Sequence, residues 1–296
     1  MQVARYMKKV GLIGVGLLGS AFAYRFNCNG IKVHGYDCNQ DTYYGLSKVG
    51  GLPCASASEV IQTCDQVVLS LPTSDVVSRL VEEHRGDFNE GQVLLDTTTG
   101  DPQQVVSIGQ SLAEIGVHYL EATVAGSSEQ LRLGEASLFL GGDPETVKNA
   151  EPLLNMVTSK FFHLGPIGTG SRFKLVHNLV LGLHRAVLAE GVVFAEKLGF
   201  GSEETLQILK ETPAVSGVMD TKGQRMVDRD YEVQARLSQH LKDVHLILSE
   251  AARVGATTPL SRVHESLLEQ AERLGFGQAD NSAIIEAYRN SRSRVD

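Results

Sequence analysis

Basic segments, paired cysteines and long apolar runs are all scarce in this sequence. Lysine and arginine concentrate nowhere and the formal net charge is −8. That argues against a nucleic-acid partner, because such proteins carry a basic footprint. The short basic tail, residues 289–294, does not reverse this and is expected to be a frayed end. No apolar run approaches the ~18 residues that a membrane span needs, so no membrane partner is expected. The opening stretch, MQVARYMKKVGLIGVG, runs directly into a strand and a glycine turn and does not read as a signal peptide. The four cysteines, Cys28, Cys38, Cys54 and Cys64, are spaced 10, 16 and 10 residues apart, which fits neither a redox pair nor a zinc site. They read as reduced thiols of a cytoplasmic protein, and no metal is expected.

Tryptophan and low-complexity tracts are absent, and the remainder, 42% hydrophobic and 21% charged, is an ordinary globular composition. With 296 residues the chain can hold two domains, or one large domain with an appendage. Short apolar runs at 10–15, 31–36, 66–71, 93–96, 117–121, 137–140 and 161–164 alternate with helix-like stretches. Several runs are almost continuous in Val, Leu and Ile, as in strands covered on both faces. Between the first two, Leu18, Phe22 and Phe26 recur every four residues, and Gly30 can end that helix. The alternation predicts an α/β fold with a mostly parallel, doubly wound sheet over residues 1–164. Gly165-Pro166 breaks the pattern. Residues 170–198 then read as one long helix, apolar on most sides and expected to be buried, and 203–210, 233–253 and 260–273 also read as helical. Residues 165–296 are therefore expected to form an all-α domain opened by one long helix.

The strongest local motif is Gly14-Val15-Gly16-Leu17-Leu18-Gly19, which follows a predicted strand and opens a predicted helix. This is the setting a dinucleotide site requires. Gly14 permits the tight turn, Gly16 lets backbone approach a pyrophosphate, and Gly19 lets helix and strand pack closely. The free N–H groups of the helix start then face the phosphates. A glycine-rich turn alone is weak, but the second strand ends in Asp37, 18 residues after Gly19. A carboxylate there accepts hydrogen bonds from the adenosine ribose and repels a 2′-phosphate. No arginine follows among Cys38, Asn39 and Gln40, so NAD is favoured over NADP.

Further along, the sequence resembles the 3-hydroxyisobutyrate dehydrogenase family of β-hydroxyacid dehydrogenases, which includes tartronate semialdehyde and succinic semialdehyde reductases. The likeness covers nearly the whole chain. Leu71-Pro72-Thr73 is similar to the family's Leu-Pro turn beside the cofactor. Asp96-Thr97-Thr98-Thr99, with Pro102, resembles its Asp-Ser-Ser-Thr-x-x-Pro turn, whose last threonine, here Thr99, borders the nicotinamide. Gly168-Thr169-Gly170 followed by Lys174 and Asn178 resembles the catalytic segment. Lys242-Asp243 resembles the late Lys-Asp pair with its lysine near the cofactor, and Gly275-Phe276-Gly277 with Asp280, Ser282 and Ala283 resembles the family ending. The resemblance implies a Rossmann-type cofactor domain of the 6-phosphogluconate dehydrogenase-like kind, with the cofactor lying across the strand ends. It also implies hydride exchange with a small acid, and assembly into a homodimer or homotetramer through the long apolar helix.

The residues themselves agree with this chemistry. Lys174 and Asn178 stand four apart on a predicted helix and leave the same face. In an apolar setting desolvation favours the neutral amine, which suits a lysine to proton transfer with a substrate oxygen. Asn178 offers a neutral donor and acceptor to orient that oxygen. His177 and His184 read as packing or surface residues. The pattern breaks at the substrate loop. The family's Asp-Ala-Pro-Val-Ser-Gly-Gly is here Glu121-Ala122-Thr123-Val124-Ala125-Gly126-Ser127, so the serine that binds the acid's carboxylate has become Ala125. Losing that hydroxyl costs about 1.5–3 kcal/mol with the usual substrate. Thr123, Ser127 or the backbone of Gly126 can compensate. Two other readings remain. An imine-reductase-like enzyme shares the architecture, although such enzymes usually lack the lysine. A non-catalytic NAD-binding sensor or scaffold fits the altered loop but not the joint presence of Lys174, Asn178 and Lys242.

Overall fold

The apolar runs become one sheet of eight strands: β1 (Lys9–Ile13), β2 (Lys32–Tyr36), β3 (Leu52–Pro53), β4 (Gln66–Leu69), β5 (Val93–Asp96), β6 (His118–Ala125), β7 (Ser137–Gly141) and β8 (Phe161–His163). This is a computed structural model that describes residues 8–290. The chain divides into two compact units, Met1–Lys174 and Leu175–Asp296. The sheet belongs to the first and has the order β3-β2-β1-β4-β5-β6-β7-β8. Every neighbouring pair is parallel except β6 with β7. The order reverses between β1 and β4, and ligands of open α/β sheets bind at such a reversal, beyond the carboxyl ends of the strands.

The helices of the first unit are α1 (Leu17–Cys28), α2 (Thr42–Lys48), α3 (Ala57–Thr63), α4 (Ser74–Glu83), α5 (Pro102–Ala113), α6 (Ser128–Leu133) and α7 (Pro144–Val157). They cover the sheet on both faces. One apolar cluster joins Phe22 and Phe26 of α1 to Leu131, Leu153 and Leu154, and to Val10, Leu12, Leu138 and Leu140 of the sheet. The other joins Val60, Val77, Val105, Ile108 and Leu112 to Ile13, Leu69 and Leu94. The starts of five of these helices are written in the sequence. Ser56, Thr73, Asp101, Ser127 and Asp143 each accept a first-turn N–H at the N-cap of α3, α4, α5, α6 and α7.

The second unit is helical. It takes most of α8 (Thr169–Leu198), then α9 (Ser202–Lys210), α10 (Gln224–Asp228), α11 (Leu237–Arg253), α12 (Pro259–Ala271) and α13 (Ile285–Arg289). Its core gathers Leu188, Val192, Leu206, Met226, Leu241, Val244, Leu268 and Ile284. The fold is thus a Rossmann-type domain followed by a helical domain, as the periodicity predicts.

Three expectations need correction. The long helix is only half buried, because Val176, Val180, Val187, Phe194 and Leu198 are exposed. Their spacing follows the helical repeat, so they form one apolar stripe opposite the buried face. By length and composition α8 could also cross a membrane, contrary to the expectation that no apolar run reaches that size. Its most apolar stretch is 44% buried within the chain, as befits a core helix. Finally, Arg289 is not part of a frayed end. It closes α13 and pairs with Glu196 at 2.6 Å and Glu286 at 3.1 Å. The tail residues Arg292 and Arg294 lie outside the described residues.

Candidate active site

Gly14, the first residue of the glycine motif, adopts φ +94°, and a Cβ there would stand 2.2 Å from the Ser70 carbonyl oxygen. Only glycine fits, because the turn runs against the strand across the reversal point. Gly19 has the same constraint from the other side: its Cβ would meet the Gly14 carbonyl oxygen at 2.0 Å. Gly16 faces open space, with no atom within 4 Å of a Cβ built on it. It is also the N-cap of α1 and carries no capping side chain, so the first-turn amides around Leu17 and Leu18 point outward. Closed packing at Gly14 and Gly19 with an open approach at Gly16 is the shape a bound pyrophosphate needs. Asp37 braces the turn. Its Oδ2 accepts the Val15 N–H at 2.7 Å and its Oδ1 accepts the Asn39 N–H at 2.9 Å. The carboxylate is therefore fixed at the end of β2, with lone pairs left for a ribose hydroxyl.

The neighbouring turns are tied to the sheet in the same way. Thr98 Oγ1 accepts the Leu71 N–H at 3.3 Å, and the Thr97 hydroxyl donates to the Leu69 carbonyl at 2.7 Å. Asp96 is buried and accepts the Thr98 N–H at 2.9 Å and the Tyr119 hydroxyl at 2.6 Å. Burial pushes its carboxyl pKa up. Its position makes it a structural anchor for the turn after β5, which reaches Leu71 through Thr98.

The substrate stretch differs from a loop. Glu121 to Ala125 belong to β6 and pair antiparallel with β7, Ala125 opposite Ser137, so only Gly126 and Ser127 leave the strand. The Thr123 hydroxyl is buried and directed at the carbonyls of Phe139 and Gly170, at 3.4 and 3.5 Å. Ser127 caps α6: its Oγ accepts the Gln130 N–H at 3.2 Å, and its own N–H donates to Gln130 Oε1 at 2.9 Å. Both candidate replacements for the missing serine thus already have work in the fold. Gly126, exposed at φ +148°, keeps its place at the strand end.

Lys174 is 7% exposed in the second turn of α8. Asn178 follows one turn later, and its Nδ2 donates to Asp243 Oδ2 at 2.8 Å. A carboxylate only accepts, so this bond fixes the amide and leaves its carbonyl oxygen turned away. The other carboxylate oxygen of Asp243 lies 3.0 Å from Lys242 Nζ. One buried acid on α11 therefore holds two of the sequence-predicted site residues. Asp243 stands 65 residues from Asn178, beyond the reach of any local spacing rule.

The helical unit also holds a buried ionic group that sequence patterns did not disclose. Asp280, fully buried, accepts from Lys222 Nζ at 2.8 and 2.9 Å. It also accepts the backbone N–H groups of Gln234, Ala235 and Ser282, and the Ser282 hydroxyl. Arg185 is buried nearby, and burial pushes its pKa down to about 10. The His240 and His264 rings lie 5.1 Å apart, tilted by 51°, against Gly182, where a Cβ would meet both rings. Burial and the charge of Arg185 push His264 down to about 4, so it is neutral at pH 7. Among the described residues, His245, Glu265 and Glu269 form a surface group with potential metal ligands within 4.8 Å of one another. Each already has an ionic partner: His245 pairs with Glu265 at 3.3 Å, and Glu269 with Arg273 at 3.7 Å.

Residues 9–165 match the NAD-binding domain of 6-phosphogluconate dehydrogenase, and residues 168–288 match the NAD-binding domain of NADP-dependent 3-hydroxyisobutyrate dehydrogenase. The chain belongs to the 3-hydroxyisobutyrate dehydrogenase family. That is a family of NAD(P)-dependent oxidoreductases acting on CH–OH groups. Glyoxylate/succinic semialdehyde reductase 1 of Arabidopsis thaliana is 27% identical over 96% of this chain and 99% of its own. A 3-hydroxyisobutyrate dehydrogenase from Salmonella typhimurium superposes with a TM-score of 0.88 at 23% identity, over 94% of this chain and 99% of the other. An imine reductase from Pseudomonas sp. shares the fold at a TM-score of 0.67 and 19% identity, over 95% and 99% of the two chains.

Proposed function

We propose that the protein interconverts a small semialdehyde acid and its β-hydroxyacid with NAD(H), using Lys174 as general acid/base and Asn178 to orient the reacting oxygen. The observation that carries this reading is Lys174, buried on α8, one turn before an Asn178 whose amide is fixed by Asp243. Gly14, Gly16, Gly19 and Asp37 have the shape to hold the dinucleotide, which when bound supplies or accepts the hydride. In the reductive direction the Lys174 ammonium gives its proton to the carbonyl oxygen as charge develops there, and in the oxidative direction the amine takes it from the hydroxyl. Lys242 and Thr99 serve the cofactor side. The backbone N–H of Gly126 serves the acid, with Ala125, Thr123 and Ser127 shaping a pocket that lacks the usual serine. The compartment is the cytoplasm, in keeping with four free cysteines.

The test is a panel of small semialdehyde acids assayed with NADH and with NADPH. Asp37 at the ribose site predicts at least about tenfold higher kcat/KM with NADH, because a fixed carboxylate repels the 2′-phosphate. A preference for NADPH would overturn the assignment of Asp37. Tight NADH binding with turnover only on imines would move the enzyme to the neighbouring class.

The exposed stripe of Val176, Val180, Val187, Phe194 and Leu198 supports assembly into a homodimer, or a tetramer of such dimers, along α8. Light scattering at micromolar concentration should give at least a dimer, and Val187→Asp should shift it toward monomer. A wild-type monomer at that concentration refutes the assembly.

A further inference from the structure

We propose that Glu121 is a positioning residue for Lys174: its carboxylate, rooted in β6, pins the first turn of α8 and thereby sets where the lysine stands. The proposal rests on Lys174 as the proton carrier. Glu121 is 1% exposed, and its two oxygens are both used. Oε2 accepts the Gly168 N–H at 2.5 Å, and Oε1 accepts the Ser171 N–H at 3.1 Å together with the Ser171 hydroxyl. Two backbone N–H groups, which can only donate, and the Ser171 hydroxyl surround the buried carboxyl and favour its ionised form. Burial pushes its pKa up, while these bonds pull it back.

The helix has no acid of its own in that turn. Its unpaired N–H groups and positive dipole end are met by a carboxylate from the sheet, a strong charge-assisted arrangement. Other contacts press the same turn onto the strands. Gly170 lies so close to β7 that a Cβ would stand 2.9 Å from the Phe139 carbonyl oxygen, and Phe173 meets the Phe139 ring edge-on at 4.9 Å. Ser171 and Lys174 are three residues apart and share a helix face. A shift at Ser171 therefore carries directly to the lysine.

The experiment compares Glu121→Gln, Glu121→Asp and Lys174→Ala in the full-length enzyme, with succinic semialdehyde and NADH as probes. Glu121→Gln should lower kcat about tenfold or more with little change in KM for NADH, since ångström-scale misplacement of a reacting group is costly. It also removes the negative charge held against Ser171, three residues before Lys174. The alkaline limb of the kcat profile for reduction should therefore move to lower pH by about half a unit, because the ammonium form is less supported. Glu121→Asp keeps the charge, so its limb should stay in place even where kcat falls. Amide exchange across residues 168–174 should speed up in Glu121→Gln. A lower melting temperature with unchanged kcat, pH profile and amide exchange would mean a purely structural role and overturn the proposal. Should Lys174→Ala retain activity, the lysine reading itself fails and the proposal falls with it. Loss in Lys174→Ala but none in Glu121→Gln would sink the proposal alone.

Discussion

Lys174→Ala is expected to lower kcat by roughly 10²–10⁴-fold, the usual worth of a positioned general acid/base. NADH affinity should stay within about twofold, because the contacts that fix a dinucleotide lie in the glycine turn rather than on α8. A lysine 7% exposed on a helix gives up solvation, a cost that a merely structural position has little reason to carry. Alanine is the better helix former, so the variant should fold at least as well, and lost activity cannot be blamed on unfolding. Lys174→Arg sharpens the test. Arginine can donate a hydrogen bond but does not release its proton near neutral pH, so it should not restore turnover. Activity within threefold of wild type in Lys174→Ala would end the assignment.

The largest expected effect on stability is at Asp280. Asp280→Ala should cost about 3–5 kcal/mol in urea unfolding, the penalty for removing one partner of a buried ion pair. The change strands Lys222, itself 7% exposed, and leaves the amides of Gln234, Ala235 and Ser282 without their acceptor. Arg225, 4.0 Å away, loses its nearest buried counter-charge as well. The pH dependence has a definite sign. Burial alone would raise the Asp280 carboxyl, but Lys222 outweighs it and holds the pKa below the ordinary carboxylate value. A group depressed in the folded state stabilises above its unfolded pKa, and the contribution disappears as pH falls through the folded value. Acidification below the carboxylate range should therefore erode wild-type stability more steeply than that of Asp280→Asn. Equal stability of wild type and Asp280→Ala at pH 7 would show that the cations find other partners.

Most of the first unit was legible because its strands are continuous apolar runs and its helices are announced by Ser, Thr or Asp caps. What was lost shows where local signals end. β3 is two residues with a proline and has no periodicity to detect. The strand character of Thr123 to Ala125 comes from pairing with β7, a tertiary partner that a one-strand pattern does not reveal. The predicted start of α11 at Val233 is four residues too early, because Gln234 and Ala235 give their N–H groups to Asp280 instead of a helix. The exposed stripe of α8 was misread because composition counts apolar residues without saying which face meets a neighbour. In the site, the glycine turn and Lys174 carry local chemistry and could be named from spacing. Glu121 and Asp243 act across 47 to 65 residues and could be found only once the chain was folded.

The bond between Asn178 and Asp243, with Lys242 on the same carboxylate, also limits how this enzyme can change. Two side chains share one carboxylate, so their contributions are not separable, and deleting both should cost less than the sum of the single losses. A lineage that lost the aspartate would lose the reason to keep the asparagine as an asparagine. The amide and the second lysine depend on one carboxylate, so a change of substrate is more readily reached through Ala125 and its neighbours than through them.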